Sequence, residues 1–152
     1  MIKRFNRLEL KYIISIAKAE KVIEDISKNM MPDSHGGVDG YYIASLYYDS
    51  PEYDFFWNKI EGIKFRRKIR IRIYPELGSK IPDEAMIEIK QRINRTVQKR
   101  RIKLSLEEAY QLCAGDFDFS NLELADKQVA SEIEYIVRSK DLKPACITQY
   151  HR

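Results

Sequence analysis

Residues 64–74 read KFRRKIRIRIY, and no other stretch constrains the fold so tightly. Phe65, Ile69, Ile71 and Ile73 fall on odd positions, while Arg66, Lys68, Arg70 and Arg72 fall on even ones. Only Arg67 breaks the alternation. A period of two is the mark of a β-strand whose faces differ. One face here is aliphatic and the other is a file of cations. Like charges at neighbouring positions repel, and an anion between them would relieve the strain.

The same alternation recurs elsewhere. In residues 4–13, Arg7, Glu9 and Lys11 share one parity and Leu8, Leu10 and Tyr12 the other, which predicts a first strand. Residues 41–48, YYIASLYY, are strand formers closed by Asp49-Ser50-Pro51. Residues 85–92 set Ala85, Ile87 and Ile89 against Glu88, Lys90 and Arg92. Residues 95–104 put Arg95, Lys99, Arg101 and Lys103 on one parity. Residues 145–150 open a further strand.

Helices fall between these segments. Ser15 predicts an N-cap for an amphipathic helix over 16–30, ended by Pro32 and Gly36-Gly37. Residues 52–60, EYDFFWNKI, fit a short helix or turn. Ser105 and Glu108 have capping-box spacing and predict a helix over 106–114. Another spans 126–139, with Val129, Ile133, Ile136 and Val137 inward. Neither a repeat nor a low-complexity linker interrupts the pattern, so 152 residues are read as part of one domain, 1–152.

Composition narrows the class. Charged residues make up 33% of the chain, yet the net charge is only +4. That basic excess suits an anionic partner. Cys113 and Cys146 lie far apart, outside metal-type spacing, which predicts reduced thiols. No apolar run approaches the roughly 20 residues of a membrane span. The N-terminal residues lack a signal-peptide core, and the expected location is the cytoplasm or the cytoplasmic face of a membrane complex.

The pattern alone leaves three arrangements open. The charged faces could lie in water over a half-buried sheet. They could form a nucleic-acid-binding surface. They could also line the inside of an antiparallel barrel whose apolar outer faces are covered by helices. Unpaired buried cations are costly, so such a lumen must be wet or hold anions. Phosphate suits both the planar fork of Arg and the point charge of Lys.

In this order, RLELKYII, SLYYDSPEYDFFWNKIEG, KFRRKIRIRIY, MIEIKQRINRTVQKRRI and the closing QYHR resemble the vacuolar transporter chaperone (VTC) domain, of the triphosphate tunnel metalloenzymes. The resemblance runs over nearly the whole chain. It implies an α+β fold: an eight-stranded antiparallel β-barrel, the triphosphate tunnel, with covering helices. Only the N-terminal portion is expected in this chain, with roughly a hundred more residues needed to complete the domain. It implies a polyphosphate polymerase that moves the γ-phosphoryl of ATP onto a polyphosphate chain with Mn2+ or Mg2+.

Residue by residue, Lys11 matches the family's first-strand lysine, and Arg70 and Arg72 its R-x-R pair. Lys90 matches the lysine of its E-x-K strand, and Lys99 and Arg101 the following K-x-R. Arg152 matches the arginine after a tyrosine. The resemblance implies that Lys11, Arg70, Arg72 and Lys90 act at the reacting phosphates and that Lys99, Arg101 and Arg152 hold the substrate. Glu88 and Glu9 are candidates to hold a metal, or to serve as counter-charge for the cations. Related phosphatases begin E-x-E-x-K, but this frame reads Arg7-Leu8-Glu9-Leu10-Lys11. The lost first acid leans towards polymerase chemistry. A tripolyphosphate or nucleoside triphosphate hydrolase, and a non-catalytic polyphosphate sensor or scaffold, are the alternatives. No nucleic-acid partner is expected, whereas a homodimer through open strand edges is. Tyr12, Tyr47, Tyr48 and Trp57 are read as core or interface, and Arg67 and Arg100 as outward-facing surface residues.

Overall fold

The computed structural model describes residues 10, 12–31, 40–76 and 78–152. Met1–Val38 and Asp39–Arg152 are separate compact units. In the first, helix α1 (Ile16–Ser27) begins at Ser15, whose side chain accepts from the Lys18 amide at 3.3 Å. Ile16, Ala19, Ile23 and Ile26 recur at helical spacing along it. The predicted strand over 4–13 lies almost wholly outside the described residues, as do Lys11 and Glu9.

The second unit is a sheet with helices on one side. Its elements run β1 (Tyr42–Asp49), α2 (Asp54–Ile60), β2 (Phe65–Ile73), β3 (Glu84–Ile93), β4 (Thr96–Ser105), α3 (Leu106–Ala114), α4 (Leu124–Ser139) and β5 (Lys143–His151). The five strands are ordered β4-β3-β2-β1-β5, and each neighbouring pair is antiparallel.

Strand register follows the sequence pattern. Ile69 faces Ile89 and Ile71 faces Ile87, so the aliphatic parity of β2 and β3 lines one face. Ile102 and Leu104 of β4 extend that face. Against it pack Ala109 and Leu112 of α3 and Ala130, Ile133 and Ile136 of α4, all buried. Burying such side chains contributes about 1.5–3 kcal/mol each, which fixes which face turns inward. A one-residue slip of β2 would drive four cations into that core.

Local signals set the ends. The Ser105 hydroxyl accepts from the Glu108 amide at 3.1 Å, and the Glu108 carboxylate accepts from the Ser105 amide at 2.8 Å. Asn94, at φ 52°, forms the two-residue turn between β3 and β4 with Arg95, which the sequence had assigned to the strand. A register shift beside Tyr47 and Tyr48 lets Pro144 pair with Tyr48 while Cys146 pairs with Tyr47. This bulge keeps Cys146, Thr148 and Tyr150 on the cationic face, and the edge strand tolerates the proline.

The expectation is the N-terminal portion of a barrel with open strand edges, and the described strands form one antiparallel sheet that is not closed into a barrel. The described sheet is open, because β4 and β5 lie at opposite edges and do not bond to each other. The covering helices are present, on the aliphatic face as expected. No described helix is long and apolar enough to cross a membrane.

Candidate functional site

The face opposite the helices gathers the basic side chains. Cross-strand pairing arranges them in rows. One row reads Cys146, Tyr47, Arg70, Glu88, Arg101 from β5 to β4. The next, on one side, reads Thr148, Ser45, Arg72, Met86, Lys103. On the other side Lys68, Lys90 and Lys99 stand directly opposite one another. Arg66 and Arg92 form a fourth row. Arg152 joins through paired backbone bonds with Tyr41, both at 2.9 Å, and its guanidinium lies 5.9 Å from the Tyr41 ring. Arg70, Arg72, Lys90, Lys99, Arg101 and Arg152 therefore all share one face.

Glu88 anchors the centre and is only 1% exposed. Arg70 donates from Nε to Glu88 Oε2 at 2.6 Å, and a second guanidinium nitrogen lies equally close. The Lys99 ammonium rests on Oε1 as an ion pair, without hydrogen-bond geometry. Burial pushes the Glu88 carboxyl up, but Lys99 and Arg70 outweigh it and hold its pKa below the usual carboxylate value. Burial also works against the Arg70 charge, and there Glu88 and Tyr47 outweigh it, raising the guanidinium's pKa.

Hydroxyls hold the arginines from the β1 side. Tyr47 accepts from Arg70 at 2.9 Å. Arg72, 7% exposed, donates to Ser45 Oγ at 3.1 Å and to the Tyr150 hydroxyl at 3.2 Å. Among the described residues these two hydroxyls are its polar side-chain partners, so its charge is oriented and not neutralised by them. Tyr47, read from sequence as core or interface, is thus part of the cationic face. The doublet Tyr47-Tyr48 hides this: only the register with Arg70 shows which ring turns to which face. Tyr48 is in the core, as expected, and Trp57 is half exposed.

The two arginines of opposite parity turn away from the cationic face, as expected, and are partly rather than fully exposed. Arg67 donates to Gln91 at 2.9 Å and covers the Phe65 ring. Arg100 pairs with Glu132 of α4 at 2.6 Å, so it ties sheet to helix as well as facing solvent.

A hard divalent cation needs several oxygen ligands. Among the described residues no group of three or more His, Cys, Asp or Glu could supply them. Both oxygens of Glu88 are engaged by cations. The described residues fit a counter-charge role for Glu88, and they do not by themselves fit a metal site. Among the described residues the cationic face belongs to an open five-stranded sheet. Two concavities of about 430 and 440 Å³ lie elsewhere, one along α4 at Tyr135 and one between α3, α4 and the start of β5.

A sequence model of the VTC domain matches residues 6–152. The chain belongs to the VTC domain family. No curated protein shows a significant match. Among solved structures, the VTC chain is similar to the crystal structure of a candidate adenylate cyclase from Bacillus halodurans, with a TM-score of 0.50 and 15% identity. The likeness covers 91% of this chain and 60% of that one, and at this identity it speaks for the fold alone. This VTC chain thus spans less than two thirds of the structure it resembles.

Proposed function

We propose that this VTC domain binds condensed phosphate on the cationic sheet face, and that the whole protein transfers the γ-phosphoryl of ATP to a polyphosphate chain. The observation that carries the reading is the convergence of Arg70, Arg72, Lys90, Lys99, Arg101 and Arg152 on one face in a chain of this family. Phosphoryl transfer asks a protein mainly for alignment and for positive charge around the phosphate oxygens. Arg70 and Arg72, held by Tyr47, Ser45 and Tyr150, present guanidinium groups already oriented. Lys90 and Lys99 add mobile point charges. When an anion arrives, Lys99 can turn from Glu88 to phosphate, while Glu88 retains Arg70.

A second reading, a non-catalytic polyphosphate binder, is favoured by the carboxylate arrangement: Glu88 is committed to cations and the described residues form no acidic cluster. Calorimetry with tripolyphosphate tests the binding, and Arg70→Ala with Arg72→Ala is expected to weaken it at least about tenfold, the loss of one or two charge-assisted hydrogen bonds. Unchanged affinity would remove both arginines from the site. Incubating the whole protein with ATP and Mn2+ then separates the activities. Long phosphate polymers support the polymerase, orthophosphate alone a hydrolase, and binding without turnover the non-catalytic reading.

A further inference from the structure

Helix α2 turns one side to the core and leaves the opposite side bare. Phe55 is buried, whereas Phe56, Trp57 and Ile60 are 48%, 52% and 58% exposed. At about 100° per residue these three fall within an arc of about 100°, on the far side of the helix from Phe55. The Phe56 and Trp57 rings meet edge-on with centroids 5.2 Å apart. Tyr53 before the helix and Ile63 after it are exposed as well. Single exposed apolar residues are ordinary, but five of them within residues 53–63 make a patch that asks for a partner. The stripe is flanked by charges of opposite sign. Asp54 and Glu61 are two turns apart and share one flank, while Lys59 lies on the other. Among the described residues neither Lys59 nor Glu61 has an ion-pair partner.

We propose that this face is a contact between two copies of the chain, packed α2 against α2 about a two-fold axis parallel to the helices. Such an axis makes the contact self-complementary and sets unlike flanks together. Each Glu61 then faces the partner's Lys59, and the offset of about 3 Å along the axis is within a lysine's reach. An antiparallel pair would oppose acid to acid and lysine to lysine, which disfavours it. Phe56 and Trp57 form the centre, and aromatic residues are the kind enriched in interface cores. Three half-exposed aromatic side chains offer roughly 300 Å² per copy, and Ile60 and Ile63 add to it. That is below the about 800 Å² per partner of a stable complex, so a reversible dimer is the expected strength. An anionic lipid surface is the poorer occupant, because Asp54 and Glu61 would be turned towards it. The contact uses neither free edge of the sheet and stands apart from the phosphate-binding reading. It does adjoin the cationic face: burial, and then the charge of Lys59, push the Lys68 pKa below the ordinary lysine value. The partner's Glu61 beside Lys59 offsets part of that repulsion.

Trp57 is the sole tryptophan of the chain, so its fluorescence reports on the contact directly. Sedimentation and tryptophan emission are followed over a concentration series. The native protein is expected to pass from monomer to dimer in the micromolar range, with the emission moving to shorter wavelength as Trp57 is covered. By sedimentation, Trp57→Ala is expected to weaken the dimer at least about tenfold, as for an aromatic residue at an interface centre. Lys59→Glu and Glu61→Lys are each expected to weaken it about fivefold or more, since each sets like charges together. An equimolar mixture of those two variants is expected to form a heterodimer, because both flanks then oppose unlike charges. Their urea midpoints are expected to stay near the native value, which separates a lost contact from a lost fold. A native protein that stays monomeric throughout would overturn the proposal. A dimer untouched by all three substitutions would also overturn it and move the contact to the free strand edges. Charge variants that fail to recover on mixing would reject the parallel pairing. An emission shift on anionic vesicles without self-association would assign the face to lipid instead.

Discussion

Glu88 sets the electrostatic balance of the face. It is the buried carboxylate between Arg70 and Lys99, and its pKa is held below the ordinary value. A carboxyl depressed by folding adds stability that is full above its unfolded pKa, about 4.3, and is lost as pH falls through the folded value. Glu88→Gln removes the charge and leaves both cations facing an amide. A loss of about 2 kcal/mol at neutral pH is expected, on the scale of charged hydrogen bonds, with the smaller share from the half-exposed Lys99. Urea melts across pH 3–7 check this. The native protein should weaken on acidification below about pH 4.3, and the variant should start lower and change less there. A variant that matches the native protein at neutral pH would show that the two ion pairs contribute nothing net.

At the scale of elements, the junction of β1 and α2 is capped by Asp49, with the Ser50 hydroxyl accepting from the Asp54 amide at 3.0 Å beside it. Asp49 is buried and accepts from the amides of Ser50 at 2.9 Å, Phe55 at 2.8 Å and Phe56 at 3.0 Å. The nominal N-cap, Tyr53, has left-handed geometry and offers no side-chain cap, so the aspartate of the preceding strand does that work. Asp49→Ala strands amides beneath the Phe55 side chain and is expected to cost about 2–3 kcal/mol, read as a lower urea midpoint with an unchanged slope. Asp49→Asn should recover part of it. In the sequence, Asp49-Ser50-Pro51 reads only as the end of a strand, because a cap that reaches across six residues has no local signature. The strands with strict alternation, β2 and β3, were legible to within a residue or so of their ends. So was the capping box of α3. The shared face of Arg70, Lys90, Lys99 and Arg101 was legible for the same reason, since parity decides it. What parity cannot give is sheet closure, which depends on whether edge strands meet, and they do not. Nor can it place Tyr47, whose partner lies 23 residues away.

For the sheet-and-helix unit as a whole, the division into two faces predicts how it opens. Helices α3 and α4 cover the aliphatic face, and Cys113 of α3 is buried in the core beside Tyr48 of β1. Burial pushes the Cys113 thiol up to about 12 and raises the Tyr48 hydroxyl as well. Cys146 lies on edge strand β5 and is exposed. Only a thiolate attacks a disulfide reagent, so the two cysteines should differ sharply near pH 8. One thiol per chain is expected to react at once with an aromatic disulfide, and Cys146→Ser should abolish that phase. Cys113 should react only when α3 and α4 lift from the sheet, at a rate that follows the free energy of opening. Added urea should accelerate the slow phase, while tripolyphosphate should retard it if the anion binds the closed sheet more tightly than the open one. Rapid reaction of both thiols in the native protein would show that the helical layer is not held on the sheet in solution.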